Sequence, residues 1–551
     1  MKITDIIQQE ITTAVKTLYG LDITPDQVTL QPTRREFTGD YTVVVFPYTR
    51  AARKKPAEVG AEIGAFLQAQ LTEVSAYNVI KGFLNLEIST TYWNRFLAEV
   101  LSTDDYGQLP AKKQKVMVEF CSPNTNKPLH LGHIRNILLG WSISQILERA
   151  GYEVVKTQII NDRGIAICRS MLAWQRFGNG ETPESTGTKG DHFVGKYYVR
   201  FAQAFKEEYQ NWQTTDAATR VYEANKKEEQ TREAFFKTYQ NQYFNTESEL
   251  GNAATDLLIK WEAGDQQTRE LWSMMNAWVY QGFDKTFERL GVSFDQLYYE
   301  SDTYLLGKEI MAEGLEKNIL VQEDKRIYID LDNIGLGRKT IIKSNGTSTY
   351  TAQDLGTADV RYRDFETEKM IYVVGDEQIA HFQGLFEILK RLEKPYADNL
   401  YHLAYGMVEL PTGQMKSREG TVVDADDLMT KVIDVARNKA LELDSIAALS
   451  TEEQDETVRK IGMAALKYFI IKVTPRKWMT FNPEESVQLN GQTGPYIQYS
   501  YVRTQKLIAR GIAEGLAIDR YDQYEDWNDS EKALIQQIYQ YPQLIEQAAT
   551  E

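Results

Sequence analysis

The sequence predicts an α/β protein. A parallel sheet with crossover helices forms its centre, an α+β unit precedes it, a helical insertion interrupts it and an all-helical region follows. Three observations carry this reading. From Val116 the pattern alternates strand, helix and strand, the βαβ unit that implies parallel pairing. Residues about 178–290 lose the strand pattern and become rich in Glu, Lys, Gln, Tyr and Trp at helical spacing. Beyond about 435 only helical periodicity remains.

The N-terminal unit is expected over 1–112. Met1 to Gly20 carries Lys2, Asp5, Glu10 and Lys16 between apolar residues, as an amphipathic helix does. Tyr41 to Phe46 is β-rich and stops at Pro47. A helix with Glu58, Ile63 and Phe66 follows, and then the alternating run Phe83 to Ile88. Asp104 to Lys115, with Gly107 and Pro110, reads as a linker.

The central domain is expected over 113–435. Val116 to Phe120 is a buried-type strand. Gly132 to Ala150 is a helix with Ile134, Ile137, Leu138 and Trp141 on one face, and Gly151 marks its stop. Val154 to Ile160 is the next strand, and strand signals resume at Ile327–Leu331, Met370–Val374 and Tyr401–Val408. Helical runs at Ile461–Val473 and Tyr496–Ala509 place a helical domain over 436–551. Open parallel sheets bind ligands beyond the carboxyl ends of their strands, so the loop after Phe120 is where chemistry is expected.

A chain of 551 residues holds three or four domains at about 150 residues each. Its formal net charge of −16 excludes coating of nucleic acid through overall charge, although a local basic groove stays open. Cys121 and Cys168 are too few for a disulfide framework or a four-thiolate zinc site, and no structural metal is expected. No run approaches 18 uninterrupted apolar residues and no signal peptide opens the chain, so a cytoplasmic protein without membrane contact is expected. A P-loop is excluded, because Gly-x-x-x-x-Gly-Lys-Ser/Thr does not occur.

The strongest chemical feature is Ser122-Pro123-Asn124-Thr125-Asn126-Lys127-Pro128-Leu129-His130-Leu131-Gly132-His133, between a strand and a helix. The prolines resist premature helix, and Gly132 would let a bulky ligand approach the backbone. His130 and His133 are three apart and can converge on one group. The free N–H groups and positive dipole of a helix start favour phosphate. Two imidazoles and Lys127 could then stabilise charge developing in phosphoryl or adenylyl chemistry. A surface loop with two solvated histidines is the plainer reading. A metal pair is a third, but it usually takes i,i+4 spacing with a carboxylate. Lys416, Ser417 and Arg418 lie between Gly413 and Gly420, either as an ordinary charged turn or as a mobile loop that brings cations over a triphosphate.

His130-Leu131-Gly132-His133 resembles the HIGH signature of class I aminoacyl-tRNA synthetases. The longer string from Glu119 through Lys127 to His133 is similar to that of the arginyl-tRNA synthetases in particular. Phe37-Thr38-Gly39-Asp40-Tyr41 resembles the family's N-terminal domain, and Gly494 to Arg503 the start of its anticodon-binding bundle. The stretch from Met407-Val408 through Gln414-Met415-Lys416-Ser417-Arg418 is similar to its second signature loop. It departs from KMSKS at Gln414 and Ser417, and Lys127 stands where the family is thought to compensate.

The resemblance implies a Rossmann-type catalytic domain, an anticodon-binding helical domain and an arginine–tRNA ligase that acts through arginyl-adenylate. It implies ATP with Mg²⁺ as the substrate complex, L-arginine and tRNA(Arg) as partners, and a monomer. His130, His133, Lys127, Lys416 and Arg418 would be catalytic. Gly132, Met407, Val408, Met415 and Ser417 would join the two histidines and Lys416 in holding ATP. Glu119, Ser122, Asn124, Tyr350, Asp354 and Gln378 match the arginine-binding positions, and a guanidinium needs planar carboxylate acceptors. Taken singly, Glu119 could be a structural ion pair, and Tyr350 and Asp354 a solvated helix face. Phe37, Asp40, Tyr41, Tyr496, Tyr499 and Arg503 would contact tRNA. Aromatics and the cations Arg503, Lys506 and Arg510 along one helix suit stacked bases and phosphates, or else form a core stripe with a solvated basic face. The altered second loop leaves open a non-catalytic tRNA-binding relative, or another HxGH nucleotidyl transferase. The family's bundle runs on past the position of Glu551, so a shortened chain that charges tRNA poorly is expected.

Overall fold

The computed structural model describes residues 2–34, 36–304, 306–344, 349–411, 423–517 and 527–551. Two compact units emerge, Met1–Leu109 with Thr504–Glu551, and Pro110–Arg503.

The first unit is built on a four-stranded antiparallel sheet, β1 (Leu30–Pro32), β2 (Tyr41–Val44), β3 (Val74–Ile80) and β4 (Phe83–Ile88), in the order β1-β2-β4-β3. The expected amphipathic helix runs Ile3–Tyr19. It buries Ile3, Ile7, Ile11, Ala14 and Val15 along one face and stops at Gly20 in the left-handed region. The closing helix Asp529–Thr550 belongs to this unit. Its Ile535 and Tyr539 enter the same core, and the Tyr539 hydroxyl accepts from the Ile3 N–H at 2.7 Å. These residues therefore pack with the N-terminal core.

The second unit contains a five-stranded sheet, every pairing of which is parallel. Its strands are β5 (Lys115–Glu119), β6 (Glu153–Ile160), β7 (Gln296–Tyr299), β11 (Lys369–Gly375) and β12 (Leu400–Tyr405), in the order β12-β11-β5-β6-β7. The chain moves outward from β5 through β6 to β7, then returns to the other side of β5 with β11. That reversal is a topological switch point, where the loops after β5 and β11 diverge and leave a crevice. Glu119 and Tyr372 are register partners at its edge.

One sequence expectation is corrected. The run Ile327–Leu331 does not extend this sheet. Strands β8 (Val321–Glu323), β9 (Arg326–Asp330) and β10 (Arg338–Ile342) form a separate antiparallel sheet, because short connections allow hairpin pairing where a parallel neighbour needs a long crossover. The run Tyr401–Val408 also divides, since β13 (Val408–Glu409) leaves β12 to pair in parallel with β14 (Met479–Thr480). Between β6 and β7 lie the expected helices, the longest being Gly190–Trp212 and Gln266–Leu290. Helices Ala425–Ala440, Thr451–Ile471 and Gly494–Ala513 follow.

Candidate active site

His130 is the N-cap of helix Leu131–Arg149. Its Nδ1 accepts from the Gly132 N–H at 3.1 Å, and Nδ1 of His133 accepts from the His130 N–H at 3.1 Å. Two orphan donors of the helix start are thus satisfied by imidazoles, in the manner of a capping box. The rings lie 3.8 Å apart between centroids. Burial and the nearby Lys127 pull His130 down to about 4 against an opposing push from Asp424. Burial, His130 and Lys127 hold His133 well below the usual histidine range. Both rings are therefore neutral at pH 7. With each Nδ1 accepting, the proton sits on Nε2, and each ring has one N–H left to donate.

Gly132 has a different reason from the one its sequence suggested. A Cβ there would meet Cε1 and Nδ1 of His130 at 3.0 and 3.1 Å, so the glycine makes room for the folded-back histidine rather than for a ligand alone. Lys127 is half-buried, and burial lowers its ammonium pKa. It lines a cavity of about 250 Å³ with His130, His192, Lys196, Tyr198 and Asp424. Cys121 is buried and its thiol is pushed up to about 12, which fits the packing role and no nucleophilic one.

Two residues lock this helix to its neighbours. Asn136 Nδ2 donates to the Val373 carbonyl at 2.7 Å, and its Oδ1 accepts from the Cys121 N–H at 2.5 Å. The fully buried Arg135 donates to the carbonyls of Met407, Pro475 and Lys477 at 3.0, 3.0 and 2.7 Å. Met407 is exposed, whereas the Val408 side chain is buried in its small sheet and leaves only main chain to meet a ligand. Met415, Lys416, Ser417 and Arg418 lie outside the described residues. The segment that follows them is held against the first histidine, through a bridge between His130 and Asp424.

The acidic side of the site starts at the end of β5. Glu119 is buried and paired with Arg361, and its Oε1 accepts from Ser122 Oγ at 3.2 Å. Asn124 is exposed, bridged to Asn161 beyond β6. Tyr350 and Asp354 stand one turn apart at the start of helix Tyr350–Phe365, with Tyr350 76% exposed. Asp354 Oδ2 accepts from His381 Nε2 at 2.7 Å, and Lys339 Nζ stands 3.5 Å from the other ring nitrogen. Gln378 is exposed in the turn after β11. Arg361, His381, Arg135 and Asn136 escaped the sequence reading. So did Glu300, whose buried carboxyl is raised to about 7 by desolvation, with Asp162 and Asp354 nearby and Arg163 opposing. Arg135 and Asn136 follow Ile134 by one and two residues, off the face it shares with Ile137, on a turn that is buried all round, so the helical pattern gave no signal for them. Arg361 and Glu300 carried none either.

Of the expected tRNA contacts, Tyr496 and Tyr499 are 44% and 46% exposed and Arg503 is exposed, so these tyrosines are not a core stripe. Tyr41 requires correction. It is 6% exposed inside the N-terminal core and offers no ring to a partner. Asp40 is likewise engaged within the unit, since its Oδ2 accepts from the Ile88 N–H at 2.5 Å and its Oδ1 from Gln536. Phe37 remains partly exposed.

Asp191, His192 and Asp426 are the one group of histidine and carboxylate ligands close enough to share an ion among the described residues. Lys189 Nζ lies 3.0 Å from Asp191 and 2.6 Å from Asp426, so an ammonium already bridges the two carboxylates.

Comparison with known proteins now bears on this geometry. The family model "tRNA synthetases class I (R), catalytic domain" matches residues 97–210 and 213–476, and "Arginyl tRNA synthetase N terminal domain" matches 2–88. The arginine–tRNA ligase of Bacteroides thetaiotaomicron is 46% identical over 552 residues, covering 100% of this chain and 89% of its own. That of Parabacteroides distasonis is 46% identical over 551 residues, covering 98% of this chain and 89% of its own. Among solved structures, Thermus thermophilus arginyl-tRNA synthetase superposes with a TM-score of 0.73 at 22% identity, over 99% of this chain and 87% of that one. The Plasmodium falciparum enzyme gives 0.69 at 17%, over 100% and 88%. At those identities the structures speak to the fold, and the sequence matches to the family: with the paired histidines at its switch point, the chain belongs to the class I arginyl-tRNA synthetases.

Proposed function

We propose that the chain is an arginine–tRNA ligase that works in two steps. A carboxylate oxygen of L-arginine attacks the α-phosphorus of ATP, the bond to the β-phosphate oxygen breaks, and arginyl-adenylate and pyrophosphate form. A hydroxyl of the terminal ribose of tRNA(Arg) then attacks the carbonyl, and AMP leaves. The observation that carries this reading is the pair of neutral, Nε2-protonated imidazoles at a helix start beside the switch point. Such donors favour the charge that grows on the pentavalent α-phosphate, and the helix dipole adds to them.

Lys127, Lys416 and Arg418 would hold the phosphates, with Mg²⁺ accompanying ATP as part of the substrate. Gly132, the Met407–Val408 main chain, Met415 and Ser417 would frame the nucleotide. Asp354 suits the guanidinium, because His381 fixes one oxygen and the other remains for a planar donor. Glu119, Ser122, Asn124, Tyr350 and Gln378 would surround the rest of the amino acid. The exposed Tyr496, Tyr499 and Arg503 would meet tRNA by stacking and phosphate pairing. The domains would then divide at about 112 and 435. The chain would act as a cytoplasmic monomer; among the described residues no helix is long and apolar enough to cross a membrane.

ATP–pyrophosphate exchange with each amino acid, with and without tRNA, followed by charging of tRNA, tests the reading. Exchange and charging with arginine alone are expected. Exchange with another small acid would make the chain a different nucleotidyl transferase, and tRNA binding without either reaction would make it a non-catalytic relative.

A further inference from the structure

The helix that presents Asp354 also carries a buried arginine two turns later on the same face. Arg361 is 3% exposed, and its Nη1 pairs with Oε2 of Glu119. Tyr298 and Tyr372 place their rings 5.2 and 5.7 Å from its guanidinium carbon, and Tyr372 is the register partner of Glu119. Burial opposes the charged form, but Glu119 and the two phenols hold Arg361 above its ordinary value. Nε and Nη2 find no acceptor among the described residues, so Glu119 is the group that compensates this charge. The other oxygen of Glu119 is taken by Ser122, which leaves the carboxylate one orientation.

The charges match a substrate. Free arginine carries two cations and one carboxylate, a net single positive charge. Glu119 and Asp354 alone would offer two negative charges and would favour a dication that lacks the carboxylate. With Arg361 the three side chains sum to one negative charge. We propose that Arg361 is a positioning residue for amino-acid recognition. It fixes the rotamer of Glu119 and cancels the charge of that carboxylate, so that the pocket prefers arginine over its decarboxylated dication, agmatine. This rests on reading Glu119 as an arginine-binding residue.

The test is ATP–pyrophosphate exchange by the full chain with tRNA present, with agmatine as competitive inhibitor and thermal unfolding run alongside. Arg361→Met should raise KM for arginine about tenfold and leave KM for ATP within about twofold. It should also lower the ratio of agmatine Ki to arginine KM about tenfold, the scale of one uncompensated charge at partly buried distances. Arg361→Lys keeps the charge, so the ratio should stay put while KM rises a few-fold at most. The double variant Arg361→Met/Glu119→Gln removes the lone buried carboxylate. It should regain thermal stability and the wild-type ratio, but its arginine KM should stay high. If Arg361→Met raises both KM values equally, or leaves the agmatine ratio unchanged, or if the double variant regains wild-type KM, Arg361 is structural only. Glu119→Gln is the separating control. A normal arginine KM in that variant sinks the reading of Glu119 itself, whereas an impaired Glu119→Gln beside a normal Arg361→Met overturns the role of Arg361 alone.

Discussion

His130 and Asp424 are paired main chain to main chain in an antiparallel bridge, with the Leu131 N–H donating to Val423 O at 3.1 Å and the Ala425 N–H to Leu129 O at 2.9 Å. The segment that follows residues 412–422 is thereby fixed on the turn that carries the first signature histidine. Before that stretch, Arg135 grips the Met407 carbonyl from the same helix. One helix therefore anchors the chain on both sides of the second signature loop.

The two histidines should prove separable by their caps. Replacing either by Ala should lower adenylate formation by about 10² to 10³, the scale of one lost transition-state donor. His130→Asn should regain helix stability, since Asn is a strong N-cap worth about 0.5–2 kcal/mol over Ala, yet remain slow in pyrophosphate exchange. Near wild-type charging by both Ala variants would remove this turn from the chemistry.

Lys127→Ala should be as damaging as a histidine loss, because Ser417 supplies no cation. The defect should appear in ATP-dependent turnover, and Lys416→Ala should be milder or comparable. Steady-state exchange at varied ATP checks this, and an unimpaired Lys127 variant would place the compensation elsewhere.

Asp354→Asn should weaken arginine use roughly tenfold to a hundredfold, as a charge-assisted bond contributes about 1.5–3 kcal/mol. Its amide oxygen can still accept from His381, so the fold should hold. Discrimination against citrulline, measured as the ratio of kcat/KM values, should fall with it. Unchanged kinetics and discrimination would move the guanidinium site away from Asp354.

Stability should depend on pH through His192. The carboxylates of Asp424 and Asp426 raise it to about 10 despite burial; Asp191 and Lys189 also face this cluster, and Arg289 reaches it through Asp426. The folded state then binds a proton that the unfolded state has released above about 6.5. This contribution is complete below pH 6.5 and disappears as pH rises through about 10. His130, lowered to about 4, acts with the opposite sign and costs stability as pH falls below 6.5. Thermal midpoints taken from pH 6.5 to 9.5 should therefore decline less steeply in His192→Gln than in wild type. Parallel declines would show that His192 carries no such proton.

Gly140 should tolerate no side chain. A Cβ there would lie 2.2 Å from Cγ of Phe120, at the strand end that leads into the signature loop. Gly140→Ala should cost about 1–3 kcal/mol by overpacking and displace that loop, so that unfolding temperature and exchange rate drop together. A variant with wild-type midpoint would mean that Phe120 can move aside freely.

What the sequence determined by itself was local. The apolar spacing of Ile3, Ile7 and Ile11 sets one helix, the run Val116–Phe120 sets the central strand, and the string from Glu119 to His133 marks the loop between strand and helix. Each depends on residues within a few turns of one another, where periodicity and cap chemistry leave few alternatives. Tertiary structure decided which of those residues stay available. Tyr41 and Asp40 carry the same motif as Phe37 but are used up inside the N-terminal unit. Ile327–Leu331 reads as one more sheet strand and pairs in a hairpin sheet instead. Glu119 is paired with Arg361 and Asp354 with His381 by the meeting of β5, β11 and the helices beside them. Such pairings come from chain crossings far apart in sequence, and the compensation of a buried charge leaves no local pattern to read.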